Sequence, residues 1–192
     1  MLYEKNFQIY GDNSKPQEII SISVPLYESM HGHYFVGQTN PLMVGVGSYA
    51  WAGLVNPRES CSELFVNVFT ISNFSNDYLT AEIWLNADFP NNASISGKIS
   101  PTNTAIDTHA ENNVDIKFID STTKLPYEGI NVYERIVPPK TTLVGEEDGK
   151  FIVPPYGNYT LILKSSSSNL DKVIVAFGWW ENKKSRALYD RF

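Results

Sequence analysis

The sequence predicts an all-β fold, an antiparallel β-sandwich, jelly-roll-like, with about ten to twelve strands and little helix. Three observations carry this reading. The regular-looking segments are short and rich in Val, Ile, Phe, Tyr and Thr, residues that suit a pleated, half-buried surface. Between them stand Gly, Pro, Asn and Asp, the punctuation of turns. No window keeps apolar residues at i, i+3, i+4 and i+7 for three turns without an interrupting Gly or Pro, so a substantial buried helix is not expected.

Taken in order, the expected strands begin with "EIISISV" (18–24), "HYFVGQT" (33–39), "PLMVGVG" (41–47) and "YAWAGLV" (49–55). Next come "ELFVNVFTIS" (63–72), "LTAEIWLNA" (79–87), "ASISGKIS" (93–100) and "NVDIKFI" (113–119). The last are "INVYERIV" (130–137), "KFIVP" (150–154), "NYTLILK" (158–164) and "KVIVAFGWW" (172–180). Most gaps between them read as hairpin turns. "NFSND" precedes Leu79, and "GEEDGK" supplies an Asp-Gly pair that accepts positive φ. Ile-Val-Pro-Pro occurs twice, from Ile136 and from Ile152; it is read as two strands ending at the same rim, where proline's missing N–H costs nothing. At 192 residues the chain suits a single sandwich domain, 1–192, with 1–17 as a candidate arm and 181–192 as a charged tail or short helix.

Charge and cysteine usage narrow the partners. A net charge of −6 and a pI near 5.0 argue against a duplex nucleic-acid binder, which needs Lys and Arg to displace counterions from phosphates. "KKSR" (183–186) is the one cationic cluster and reads as solvated. No basic n-region with an apolar h-region opens the chain, and nowhere do 18 apolar residues run together, so neither a signal peptide nor a membrane span is expected. Cys61 stands alone, so no internal disulfide can form. Synthesis in a reducing compartment fits, as does later placement on a spore or cell surface.

Each candidate site has a plainer rival. In "HGH", His31 and His33 would share one face of an extended segment and could grip one metal ion, but no acid follows closely and His109 is distant; turn histidines are the simpler reading. "GVGSYA" (45–50) matches a dinucleotide pattern by letter, yet no helix follows and no acid stands about 20 residues on, so a close backbone approach explains the glycines better. No cofactor is therefore expected. Cys61 has only Arg58 nearby to lower its pKa and no G-x-S-x-G elbow is present, so no catalytic residue is assigned. Glu146, Glu147 and Asp148 are placed in a hairpin tip, where acids are solvated.

The tryptophans sort by strand parity. Trp84 shares a polar face with Thr80, Glu82 and Asn86, so it is a candidate for stacking on a sugar or for an interface, against cover by its own chain. In 63–72, Leu64, Val66 and Val68 oppose Phe65, Phe69 and Ile71, as in a strand buried on both faces. In "VAFGWWENKK", Trp179 continues the stripe of Val173, Val175 and Phe177 and is assigned to the core. Trp180 follows Ala176 and Gly178 on the other face, where a ring from a neighbouring strand could lie on the glycine, and is the second ligand or interface candidate.

"YFVGQT", "WAGLVNP", "LFVNVFTISN", "AEIWLNA", "EEDGKFIVPP" and "VAFGWWE" together resemble an uncharacterised domain family of spore-forming Firmicutes, over about Tyr34 to Glu181. The first 30 residues and the charged tail lie outside this resemblance, which implies no activity and carries over no site residue. The expected function is that of a non-enzymatic structural protein that forms homo-oligomers or coats a surface. A carbohydrate-binding module using Trp84 and Trp180 is the alternative, and an enzyme the second alternative.

Overall fold

The computed structural model describes residues 20–107 and 111–183. A short helix, α1 (Val24–Met30), precedes twelve strands: β1 (Tyr34–Gln38), β2 (Leu42–Val44), β3 (Tyr49–Val55), β4 (Ser62–Asn73), β5 (Leu79–Leu85), β6 (Ser94–Ile95), β7 (Ile99–Pro101), β8 (Asp115–Thr122), β9 (Ile130–Val137), β10 (Thr142–Val153), β11 (Asn158–Ser165) and β12 (Asp171–Lys183). They form two antiparallel sheets. The first runs β10-β4-β12-β1-β7, with β2 also on β12; the second runs β6-β8-β3-β11-β5-β9.

The jelly roll lies in the pairing. β2 pairs with β12, β3 with β11, β4 with β10 and β5 with β9, four nested antiparallel pairs placed alternately in the two sheets, as when one long hairpin is rolled over itself. β1, β6, β7 and β8 all add on the side of β2 and β3. There β6, in the second sheet, leads through buried Ser96 to β7 in the first. The Ser96 hydroxyl donates to the Gln38 carbonyl at 2.6 Å and accepts from the Lys98 amide at 3.1 Å, so one expected strand, 93–100, becomes a strap that closes this flank.

The core fills the space between the sheets. Leu64, Val66, Phe69, Ile71, Val173, Val175, Phe177 and Trp179 come from the first sheet and Ala52, Leu54, Ala81, Ile83, Tyr159, Leu161 and Leu163 from the second. Trp179 is fully buried, as parity required. β4 departs from simple alternation: opposite β12 the register shifts between Gly178↔Val68 and Trp179↔Val66, so Asn67 is an extra residue and parity reverses across it. Leu64 and Val66 therefore point inward with Phe69 and Ile71, while Phe65, Val68 and Thr70 point outward.

Three expectations fail for local reasons. Residues 20–23 form no strand and Val24 opens α1, because Pro25 in the first turn is tolerated by a helix. "GEEDGK" is not a hairpin tip but part of β10: Glu146 faces Val68 and Phe151 faces Val66, so residues 147–150 bulge out opposite Asn67. Asp148 and Gly149 do adopt positive φ, 51° and 73°, but in a bulge. The tail reading fails at its start, since β12 continues through Glu181, Asn182 and Lys183; residues 184–192 lie outside the described residues.

The two Pro-Pro corners lie at opposite ends of β10, not at one rim, yet they are built alike. After Pro138-Pro139, Lys140 has φ 55°; after Pro154-Pro155, Tyr156 has φ 74°. Each corner is held by an asparagine that ends another strand or follows one. Asn73 Nδ2 donates to the carbonyls of Val137 and Pro138 at 3.3 and 3.1 Å, and Asn56 Nδ2 to those of Val153 and Ser62 at 3.0 and 2.8 Å. Proline offers no N–H, so the chain turns without a ladder bond and a side-chain amide satisfies the exposed carbonyls instead.

Candidate functional site

The flank opposite the β6–β7 strap is open. Among the described residues, both sheets end there in long strands with an unpaired outer edge, β9 and β10. The space between these edges is filled by one polar network. Glu147, turned inward by the bulge and buried, accepts from the hydroxyls of Tyr133 and Tyr159, each at 3.2 Å. Phe151 packs on both tyrosines, at 6.2 and 5.4 Å between ring centroids, and the Arg135 guanidinium lies 4.2 Å from the Tyr133 ring centre.

Burial, and then the Glu147 charge, push the Tyr159 phenol well above its ordinary value; Tyr133 is raised for the same two reasons. A folded-state value above the unfolded one, near 10, means that the neutral phenol's contribution is complete below that pH and is lost as pH rises past it. Stability measured by urea midpoint is therefore expected to fall above pH of about 10, with Tyr159 alone approaching about 1.4 kcal/mol per pH unit. Tyr159→Phe should flatten that slope, and parallel slopes in the two proteins would refute the assignment.

Trp180 lies on the outer face of the first sheet. Phe65 stacks on one side of it at 5.3 Å and 7°, and Tyr34 on the other at 6.4 Å and 25°. Tyr34 in turn lies over Gly178, where a Cβ would come within 2.5 Å of its hydroxyl, so a neighbouring ring does rest on that glycine. With a ring stacked on each side, Trp180 has no face left for a sugar. Trp84 lies on the outer face of the second sheet against Trp51 and Ile162, half-buried, and donates its indole N–H to Glu82 at 2.8 Å. Burial raises the Glu82 carboxyl, but hydrogen bonds from Lys164 and Trp84 outweigh it and hold the group below the usual carboxylate range. The two tryptophans are on different sheets and are not brought together.

His31 and His33 follow α1. Their ring centroids are 6.4 Å apart, but their Nδ1 atoms turn to different partners, His31 to the Tyr27 carbonyl at 2.8 Å and His33 to Glu28 at 3.1 Å. Among the described residues no three His, Cys, Asp or Glu side chains are placed to hold an ion, and His109 lies outside them. In "GVGSYA", Val46 and Gly47, φ 54° and 76°, make the two-residue turn between β2 and β3. A Cβ on Gly45 would meet the Asn169 carbonyl oxygen at 2.2 Å, a close backbone approach rather than a phosphate cradle.

A family model described as a family of unknown function, DUF6143, matches residues 5–186. The chain belongs to DUF6143. The match takes in residues 5–33 and 182–186, so most of the first 30 residues and part of the charged tail, set outside the resemblance above, are within the DUF6143 region. No curated protein and no solved structure matches the chain, and no helix among the described residues is long and apolar enough to cross a membrane.

Sequence reasoning missed Glu147, Asn56, Asn73 and Glu181. Buried Glu181 gathers the Asn113 amide N–H at 3.1 Å, its side-chain NH2 at 2.9 Å, and the Trp179 indole at 3.2 Å, tying the end of β12 to the segment before β8. The repeated Pro-Pro was the one available signal, for the corners that Asn56 and Asn73 hold.

Proposed function

We propose that this chain is a non-enzymatic assembly module that associates with further copies of itself through the open β9–β10 flank. The observation that carries the reading is the asymmetry of the sandwich: one flank is sealed by the β6–β7 strap, while the other ends in edge strands of eight and twelve residues. Long unpaired edges invite pairing with another chain. Beside these edges, Ile130, Ile136, Val144 and Ile152 are 64%, 68%, 53% and 53% exposed, whereas Glu134, Arg135, Glu146 and Lys150 along the same strands limit pairing to a partner with matching charges.

Catalysis is disfavoured by how the displaced titratable groups are used. Glu82 is committed to Lys164 and Trp84, Tyr133 and Tyr159 to Glu147. Asp88 is committed to Lys124 at 2.8 Å and to the Tyr127 and Glu128 amides. For Glu82, Asp88, Tyr133 and Tyr159 a structural partner contributes to the shift, while Tyr34 and Asp115 are raised by burial.

Sedimentation equilibrium from about 1 to 200 µM tests the reading, a range that covers micromolar association. Reversible self-association is expected, weakened about tenfold or more by Ile136→Lys or Ile152→Lys. A monomer at every concentration overturns it, and so does association that neither lysine alters.

A further inference from the structure

The outer face of the first sheet does not follow the pattern of a solvated face, on which outward positions are polar. Two cross-strand rows of β1, β12 and β4 point outward here, Val36–Gly178–Val68 and Gln38–Ala176–Thr70, and five of the six residues are apolar, small or β-branched. Together with β7, the next strand of the same sheet, they line a trough of about 520 Å³, within the range of small-molecule sites, about 300–1,000 Å³.

The trough has two unlike ends. Beside Gly178 it is bounded by Tyr34, whose hydroxyl takes the Asn67 side-chain N–H at 2.6 Å and keeps its own proton to donate. Towards Gln38 stands Lys98, exposed, and the one charged residue among those lining the trough. Tyr34 and Gln38 are four positions apart along the strand, about 13 Å at a rise of about 3.3 Å per residue, and the floor is three strands wide, about 10 Å between its outer strands. A mostly apolar floor of about 13 by 10 Å, with a single cation at one end, suits a short tail with one negative head.

We infer that the trough binds a free single-chain amphiphilic anion, an alkyl carboxylate, with its tail along the two rows and its carboxylate at Lys98. The two rows run on into Glu146 and Val144 of β10, so the titration is made on protein dilute enough to sediment as a monomer, which keeps the inference separable from self-association. Small outward residues leave the floor open for the tail, and the exposed Lys98 ammonium offers the carboxylate an opposite charge where the tail ends.

Isothermal titration of the full chain with decanoate, kept below micelle formation, tests it, with 1-decanol as the uncharged arm. Saturable decanoate binding is expected, about tenfold or more weaker for decanol and for Lys98→Glu. Ala176→Phe, which fills the trough, should abolish it. Val36→Glu, at an already exposed position, should weaken it by a similar factor, and keeps the test decisive if Ala176→Phe disturbs folding. No saturable binding of decanoate up to about 1 mM overturns the inference. So does binding that Lys98→Glu and Val36→Glu leave unchanged, which would place the fatty acid elsewhere.

Discussion

Asn56→Ala is expected to lower stability by about 2–4 kcal/mol, because it strips the partner from two buried carbonyls at once. Asn56 is fully buried, and its amide donates to Ser62 and Val153 while its backbone N–H and C=O bond Gly157 and Tyr156. Alanine keeps the backbone bonds and loses both side-chain bonds. An unsatisfied buried acceptor costs about 1–3 kcal/mol, and two of them correspond to a melting temperature lower by about 10 °C in a chain of this size. Asn56→Asp should be worse, since a carboxylate has no proton to offer. Asn73→Ala should follow the same pattern at the other corner, where Asn73 serves Val137, Pro138 and Asp77. Thermal unfolding measured for the three variants decides the matter: an Asn56→Ala protein that melts with the wild type would mean that the corners are held by something else.

Gly149→Ala should cost about as much, about 2–4 kcal/mol, for two additive reasons. Its φ is 73°, where a Cβ is strained, at about 1 kcal/mol. The added methyl would also lie 2.1 Å from Cη2 of Trp180, and that ring cannot swing aside, being stacked between Phe65 and Tyr34. Neighbouring Asp148 also has positive φ, 51°, but its side chain is exposed, so Asp148→Gly is expected to stay within about 0.5 kcal/mol of the wild type. Denaturant titration of Gly149→Ala, Trp180→Leu and the pair supplies the check. The double variant should be less unstable than the sum of the singles, because the smaller side chain removes the clash. Strict additivity would show that the ring contact is not the cause.

How much could be read from the chain differs from residue to residue. Trp179 was placed in the core and Trp180 on the opposite face from period-two alternation alone, and both hold. The same rule misassigned Val68, Phe69 and Ile71, because a bulge at Asn67 inserts one residue and reverses parity beyond it; a single Asn within an otherwise strand-like run does not specify such a bulge. The Asp-Gly at 148–149 correctly announced positive φ, but a hairpin and a bulge demand the same backbone angles, and only the partner strand distinguishes them. Glu147 was read as solvated for the same reason. Its burial depends on Tyr133 and Tyr159, which flank it from two other strands.

The sequence by itself determined the fold class, most of the strands, the side that Trp179 faces, and the acidic net charge, because alternation, turn residues and charge are local or additive properties. Only the tertiary structure decided which flank is open, that Trp84 and Trp180 lie on different sheets, that the two Pro-Pro corners sit at opposite ends of β10, and that small outward residues of three strands align into one trough. These depend on which strands become neighbours and in what register. That is settled by burial of the whole core between two sheets, and no stretch of the chain carries it alone.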